Sequence, residues 1–357
     1  MAGDHFITPQ GPFHHPPVDN FAPVLNRLFH RVFRAFSWKE VQELGLGSAF
    51  MDEQYRLPNE RRIVRIPAER APSPFQPNDD QAYLTKLLIQ VTLPHRQPNG
   101  NPEIWTRSNG GYSLTIRPGF VKTPQGHQRL GYPAGSIPRL ILLWMTREAL
   151  LKRQRRIYLG NSLPGFMEAI GLNPYNGSIN SLRSDRKRLQ EQMTNLFRSQ
   201  ISFDYQDENR EAWQDLSVTS QGEIWWDFYS DGSYLFDSWV DLGEHFYEAL
   251  LRAPVPLRMS ALRRLKSSSL SLDLYAWSAY AAYTASKRGE PFRITWTRLH
   301  ENLGADYARA CDFKKKAVKS FEKILIEYPE LRLEDNGEEL FVHSSLTPIR
   351  PRVRAGS

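Results

Sequence analysis

Apolar residues recur at helical spacing near the end of the chain, where Phe313, Ala317, Val318, Phe321, Ile324, Leu325 and Tyr328 form one stripe. Lys315, Lys316, Lys319 and Lys323 fall roughly opposite it. A second long helix shows the same division. Leu182, Leu189, Met193, Leu196 and Phe197 cluster on one face, and Arg183, Lys187, Arg188 and Asn195 point away from it. Shorter or more apolar patterns lie between and before these two. SIPRLILLWMTREALLKRQ reads as a helix with Ser136 as N-cap and Pro138 in its first turn. SLPGFMEAIGL is a short helix from Ser162 to Gly171, and TRLHENLG another, closed by Gly304. SLSLDLYAWSAYAAYTASKR is a long one. Alternation predicts strands in GGYSLTIRPGF, RIYLG, ISFDY, SVTSQGEIWWDFY, SYLFDSWV and PFRITW. LRLEDNGEELFVHSS reads as a hairpin with Asn336-Gly337 as a two-residue turn.

These elements repeat. Ser162, Phe166, Ile170 and Gly171 match Thr295, Leu299, Leu303 and Gly304 in spacing. Each short helix follows a strand, and each strand follows an apolar helix with a tryptophan, Trp144 or Trp277. A long helix and β-structure come after. Helix, strand, helix, turn, helix, hairpin is the order of a winged helix, whose second turn-pair helix enters the major groove. The expected fold is therefore α+β, mainly α. It comprises two tandem winged-helix domains, 81–253 and 254–357, behind a flexible extension over 1–80. One basic helix alone is most simply a solvated face. Two at equivalent positions of a repeat point to DNA.

Within the extension, FAPVLNRLFHRVFRAFSWKEVQEL carries Val24, Leu25, Leu28, Phe29, Val32, Phe33 and Phe36 on one stripe. Proline-dotted segments flank this amphipathic helix near 22–44, which suits docking on a partner protein.

Charge sharpens the picture. The 357 residues carry a formal net charge of +7, which suits a polyanion partner. Residues 251–357 alone carry 19 Lys and Arg against 12 Asp and Glu. From Asp204 to Glu248 there are 12 acids and one base, Arg210, a run expected to face away from phosphates or toward the basic second half. Cys311 is the only cysteine, so no intramolecular disulfide and no cysteine-cluster metal site is possible. No P-loop, H-E-x-x-H or G-x-S-x-G occurs, and His14-His15 lacks the strand pattern of a nicking site. The expectation is a binder, not an enzyme, without catalytic residues, metal or cofactor. No run is apolar enough for a membrane span and the N-terminus lacks a signal-peptide layout, so a cytoplasmic protein is expected.

GYPAGSIPRLILLWMTREALLKRQRRIYLGNSLPGFMEAIGL resembles the core of plasmid-encoded replication initiators of the RepA type. The matching positions are Pro133, Gly135, Ser136, Pro138, Arg139 and Leu140, then Ile157, Leu159, Gly160, Ser162, Phe166, Met167, Gly171 and Leu172. PLRMSALRRLKSSSLSLDLYAWSAY is similar to the family's second conserved block, and the likeness covers roughly 110–350. The resemblance implies paired winged-helix domains that bind repeated origin sites (iterons) in double-stranded DNA and melt an adjacent AT-rich stretch. It also implies help in loading the host replicative helicase and a bacterial plasmid origin for the gene. A second copy of the chain, in a homodimer, is a further candidate partner, with monomer and dimer both open as the active form. The helix near 22–44 is the segment expected to meet the helicase or its loader. A winged-helix transcriptional repressor is the rival reading on the same fold. Two details stand apart from the family pattern. The last hairpin's tip, EDNGEE, holds Glu334, Asp335, Glu338 and Glu339, which phosphates would repel. Beyond it, Arg350, Arg352 and Arg354 alternate, so an extended arm would aim them together at a minor groove or at phosphates.

Overall fold

The structure, a computed structural model, describes residues 80–160, 162–176, 181, 184–206, 211–224, 226, 238–252, 254–303 and 307–349. All belong to one unit within Arg56–Ser357. The helix near 22–44, the rest of the extension, Arg183 and the arginines of the tail lie outside the described residues.

The described chain begins with β1 (Gln81–Thr85) and α1 (Lys86–Gln90), then β2 (Trp105–Asn109), β3 (Tyr112–Arg117), β4 (Phe120–Thr123) and β5 (Gly126–Arg129). The first repeat follows as α2 (Ser136–Lys152), β6 (Arg156–Tyr158), α3 (Leu163–Ala169), α4 (Asp185–Arg198), β7 (Gln200–Gln206), β8 (Glu211–Leu216), β9 (Thr219–Glu223) and β10 (Trp239–Leu242). After α5 (Glu244–Arg252), β11 (Pro254–Arg258) and α6 (Met259–Leu265) comes the second. It consists of α7 (Ser269–Arg288), β12 (Phe292–Thr295), α8 (Trp296–Leu303), α9 (Ala310–Glu327), β13 (Leu333–Asp335) and β14 (Glu339–Val342). The architecture is mixed α/β. Strands take a larger share than a mainly α fold would have, because β1, β2, β4, β5 and β11 are too short or too polar on one face to announce themselves.

The internal repeat is visible in the pairing. β6–β10–β9 and β12–β14–β13 are three-stranded sheets with the same order, the strand before the helix pair lying antiparallel to the last strand of the hairpin. Equivalent side chains cap the short helices. Ser162 Oγ accepts from Gly165 N at 3.1 Å, and Thr295 Oγ1 accepts from Arg298 N at 3.1 Å. Trp144 meets Phe166 edge-on, with ring centroids 4.9 Å apart, and Trp277 meets Phe292 at 5.8 Å. The first repeat carries an insertion. β7 and β8 leave α4 and join β2 and β3 in a separate four-stranded sheet, β2–β3–β7–β8, whose inner face is Tyr112, Leu114, Ile116, Ile201, Phe203 and Tyr205.

α2 and α7 are apolar on nearly every side and form the core, as a helix without a polar face must. Ala276, Ala279, Ala281, Ala282 and Ala285 keep α7 thin enough for neighbours to approach closely. α7 ends at Gly289, whose φ of 73° and N–H bond to Ala285 O close the helix. α2 ends at Arg153 in the same left-handed region. At its start Ser136 is the first helical residue, not the cap. Gly135 occupies the cap position with φ 82° and offers no side chain. The last hairpin also differs from a two-residue turn. The paired register ends at Asp335 and Leu340, Asn336 N adds one bond to Glu339 O at 3.2 Å, and Asn336 Oδ1 takes the N–H groups of Glu338 and Glu339, so the turn does not close across Asn336-Gly337. The acidic run that ends at Glu248 enters the helix α5 after β10.

The two halves of the described chain, before and after Arg252, are tied together in three places. β1 pairs antiparallel with β11, from Gln81 opposite Arg258 to Thr85 opposite Pro254. Arg263 on α6 donates to Ala169 O at the end of α3 at 2.6 Å and 3.0 Å, and Lys266 donates to Gly171 O. The third tie is a buried ion pair. Arg139 on α2 and Asp273 on α7 are 6 % and 7 % exposed. Arg139 Nε meets Asp273 Oδ1 at 2.7 Å and Nη2 meets Oδ2 at 2.8 Å. Its other donors reach Leu93 O, Pro94 O and Gly135 O, so all five guanidinium N–H groups are used. His95 Nε2 lies 2.7 Å from Asp273 Oδ2. Burial pushes the Asp273 carboxyl up, but the Arg139 charge and the bonds from His95 and Arg139 more than offset it and hold it well below the usual range. Burial, aided by the Arg139 and Arg107 charges, lowers His95 despite the pull of Asp273, so a neutral imidazole donates to the carboxylate.

Candidate nucleic-acid interface

α9 buries Phe313, Ala317, Ser320, Phe321 and Ile324 against the second repeat, so its opposite side must face solvent. Lys315, Lys316, Lys319 and Lys323 are all exposed there, within an arc of about 100° at helical spacing. Among the described residues none of the four forms a salt bridge. Glu322 shares the exposed surface, beside the arc. Other cations of the helix are already engaged. Arg309 bonds to Asp312 at 2.8 Å and 3.1 Å. Lys314 meets Asp335 at 2.9 Å and Gly337 O at 2.8 Å, and lies 4.9 Å above the Trp296 ring.

That last contact changes the reading of the acidic hairpin tip. Asp335 accepts from Trp296 Nε1 at 2.9 Å and from Gly337 N at 2.8 Å, as well as from Lys314. Burial pushes its carboxyl up, and these donors together pull it below the usual range. Glu334 is buried, with its carboxylate 3.0 Å from His343 Nε2. Two of the four acids are thus turned inward, Glu339 is half-buried, and Glu338 is the one fully exposed. The repulsion of phosphates expected from the sequence is correspondingly reduced.

On α4, Lys187 and Arg188 are exposed and Arg188 pairs with Asp185 at 3.2 Å. Ser184 Oγ caps the helix by accepting from Lys187 N. Asn195 is a correction. It was expected on the outer face, yet it is 2 % exposed, and its Nδ2 donates to Tyr132 O at 3.2 Å. Gln192 beside it accepts from Ala134 N at 2.8 Å. The cause lies in the segment leading into α2. Its backbone groups at 132–134 are buried in no regular ladder and need partners. Gln97 and the two α4 amides supply them, Gln97 bonding both Tyr132 N and Tyr132 O. Sequence spacing alone sends a polar residue outward by default.

The chain after β14 is fixed as far as Ile349. Tyr328 Oη donates to Leu346 O at 2.6 Å and Arg258 Nε to Pro348 O at 2.8 Å, so the chain leaves beside the C-terminal end of α9. Arg350, Arg352 and Arg354 come directly afterward, outside the described residues. In the acidic run, Asp241 is held by Arg156 at 2.8 Å and 2.9 Å and by Gln221 at 2.7 Å, with its carboxyl lowered to about 2. Arg155 lies 3.9 Å from Glu244. Both pairs are internal to the first half. Among the described residues no group of His, Cys, Asp and Glu is placed to hold a metal ion. No helix there is long and apolar enough to cross a membrane.

Residues 132–298, from Tyr132 to the first turn of α8, match the model of a plasmid replication initiator family. That family is described as plasmid encoded RepA protein, and the resemblance to RepA-type initiators holds over this stretch. No curated protein sequence matches the chain. Two crystal structures of domains 2 and 3 of RctB are similar, one of them a selenomethionine derivative. Both are 10 % identical to this chain. The derivative covers 71 % of this chain and 94 % of its own length at a TM-score of 0.43; the other covers 72 % and 96 % at 0.41.

Proposed function

We propose that the protein initiates plasmid replication by binding repeated origin sites in double-stranded DNA through two winged-helix domains. The observation that carries this reading is the pairing of two like sheets, β6–β10–β9 and β12–β14–β13, each built on a helix pair whose second member bares lysine or arginine to solvent. In this reading α4 and α9 enter successive major grooves. Lys187, Arg188, Lys315, Lys316, Lys319 and Lys323 meet DNA, joined by Arg183 and by Arg350, Arg352 and Arg354 from the tail. The protein is a binder in the bacterial cytoplasm and carries no catalytic chemistry of its own. Melting and helicase loading follow from assembly at the repeats, with a second copy as a further partner. The test is direct. The purified protein should protect direct repeats spaced about two helical turns apart in the DNA beside its gene, with affinity falling steeply as salt rises. Absence of duplex binding even at low salt removes the reading.

The extension before β1 is assigned to a host replication protein, the helicase or its loader, through the amphipathic segment near 22–44. Asp80 sets where a truncation must stop. Its backbone oxygen accepts from Met259 N at 2.7 Å, and its carboxylate holds Ser260 at the start of α6. A chain beginning at Asn78 should therefore fold and bind repeats with affinity unchanged within about twofold, yet fail to maintain a plasmid in cells. Full plasmid maintenance by the shortened chain refutes the assignment.

A further inference from the structure

The β4–β5 hairpin has no role in the fold that accounts for it. Its strands pair only with each other among the described strands, and a lone two-stranded hairpin is marginal in water. It is nevertheless founded firmly. At its base Leu130 N donates to Gly119 O at 2.9 Å. Arg129 donates to Asn101 O at 3.1 Å and to Pro102 O. Gly119 packs so closely on the backbone of Arg198, the last residue of α4, that a Cβ there would overlap it. The segment just beyond the hairpin is bonded to α4 by Asn195 and Gln192, as described above. Wherever α4 goes, the hairpin goes with it, projecting beside the helix's C-terminal end.

One face of this hairpin is open to solvent and cationic. Lys122 lies directly opposite His127, and Phe120 opposite Arg129, so all four side chains share a face. Phe120 is 56 % exposed, and Lys122 and His127 are exposed too. No Asp or Glu occurs on the hairpin itself; the nearest acid in sequence is Glu103, exposed beside its root at Pro102. Arg198 is exposed at the same end of α4. α4 is 14 residues long, about 21 Å at 1.5 Å per residue, whereas the major groove is about 12 Å wide. A helix of that length overhangs the phosphate walls of the groove it enters.

We infer that the β4–β5 hairpin is a backbone clamp, which lays Lys122, His127 and Phe120 on the sugar-phosphate strand flanking the groove occupied by α4. This rests on the proposed DNA-binding role of α4 and adds a contact that precedes the repeat in sequence and lies outside both three-stranded sheets. Charge complementarity selects the partner. The face offers cations and an aromatic ring without an acid, which suits phosphates and sugars. It gives no base-reading geometry, so its contribution is the same for every sequence.

Full-length Lys122→Glu is the probe, titrated against a labelled mixed-sequence duplex of about four helical turns. Each phosphate neutralised contributes about 0.9 to the log–log salt slope, and a reversed charge counts about twice. The slope should flatten by about two and affinity at about 0.15 M salt should fall about thirtyfold. On a second duplex that carries the origin repeats, hydroxyl-radical protection should vanish at one flank and persist at the repeat centres, with the melting temperature of the protein unchanged. A wild-type slope and footprint in Lys122→Glu overturns the inference. That includes the case where the variant binds normally but fails to replicate, which makes the hairpin's partner a protein. The parent reading fails separately: if Lys319→Glu/Lys323→Glu binds as wild type while Lys122→Glu is weakened, α9 leaves the interface and the clamp stands. If the wild-type chain binds no duplex at all, both fall.

Discussion

Asp273→Ala should be among the most destabilising single substitutions in the chain, because it leaves the Arg139 guanidinium charged and buried without a counter-ion. Removing one partner of a buried, hydrogen-bonded pair costs about 3–5 kcal/mol, against a total stability of about 5–15 kcal/mol for an ordinary domain. Urea unfolding should shift accordingly, with the Asp273→Ala midpoint moved down by about a fifth or more of its value. Joint replacement by Arg139→Met and Asp273→Leu should recover part of the loss, since the uncompensated charge is gone. Recovery should be incomplete, because Leu93 O, Pro94 O and Gly135 O lose their donors with the arginine. A single substitution that costs under about 1 kcal/mol would show that the site is solvated and does not hold the halves together.

The same cluster gives the acid response its sign. His95 is lowered in the folded state, where Asp273, Arg139 and Arg107 surround it, so below its unfolded value of about 6.5 only the unfolded chain takes up the proton. Stability should therefore fall as pH drops from about 6.5. Asp273, also lowered, adds a second loss below about pH 4, where the unfolded carboxyl protonates first. In His95→Gln the slope of unfolding free energy between about pH 6.5 and 5 should flatten. An unchanged slope assigns that window to other groups.

What the sequence made legible was local. The stripes of α4 and α9, the start of the first short helix at Ser162 and the matched spacing of the two short helices all depend on residues within a turn or two of each other. The β1–β11 pairing joins Gln81 to Arg258, and no periodicity reports a partner that distant. Asn195 failed for a related reason: the groups it satisfies belong to a segment far away in sequence. The ion pair does leave a signal in the sequence. Arg139 stands alone in the apolar run IPRLILLWM, and Asp273 stands alone in SLSLDLYAWSAYAA. A single charge of each sign on two otherwise apolar helices can be buried only if the two meet. Arg139 also belongs to the family motif, and its partner across the core gives that motif position a physical purpose. The hairpin tip misled in the opposite direction. Four acids in six residues read as a repulsive surface until Lys314, Trp296 and His343 were found holding two of them.

Reversing two charges on α9, Lys319→Glu with Lys323→Glu, should reduce duplex binding by about three orders of magnitude at about 0.15 M salt. At about 0.9 of salt slope per phosphate, one lost contact is worth about fivefold there, and two reversals count as about four contacts. The protein should remain folded. Both lysines are exposed on the side opposite Phe313, Ala317, Phe321 and Ile324, and among the described residues neither is ion-paired, so no core contact or bridge is broken. The substitutions also place acids beside Glu322, adding a local repulsion of a few tenths of a kcal/mol, too small to unfold the repeat. Lys314→Glu makes the contrast. Lys314 is half-buried and holds Asp335 and Gly337 O, so its reversal should lower thermal stability by pushing the β13–β14 loop away from α9. A DNA-binding helix predicts that the outer pair changes affinity with little effect on melting, and that Lys314 changes melting first. If instead the outer pair leaves anisotropy titrations unchanged across salt, the lysine face of α9 is an ordinary solvated surface, and the second repeat must meet its partner elsewhere.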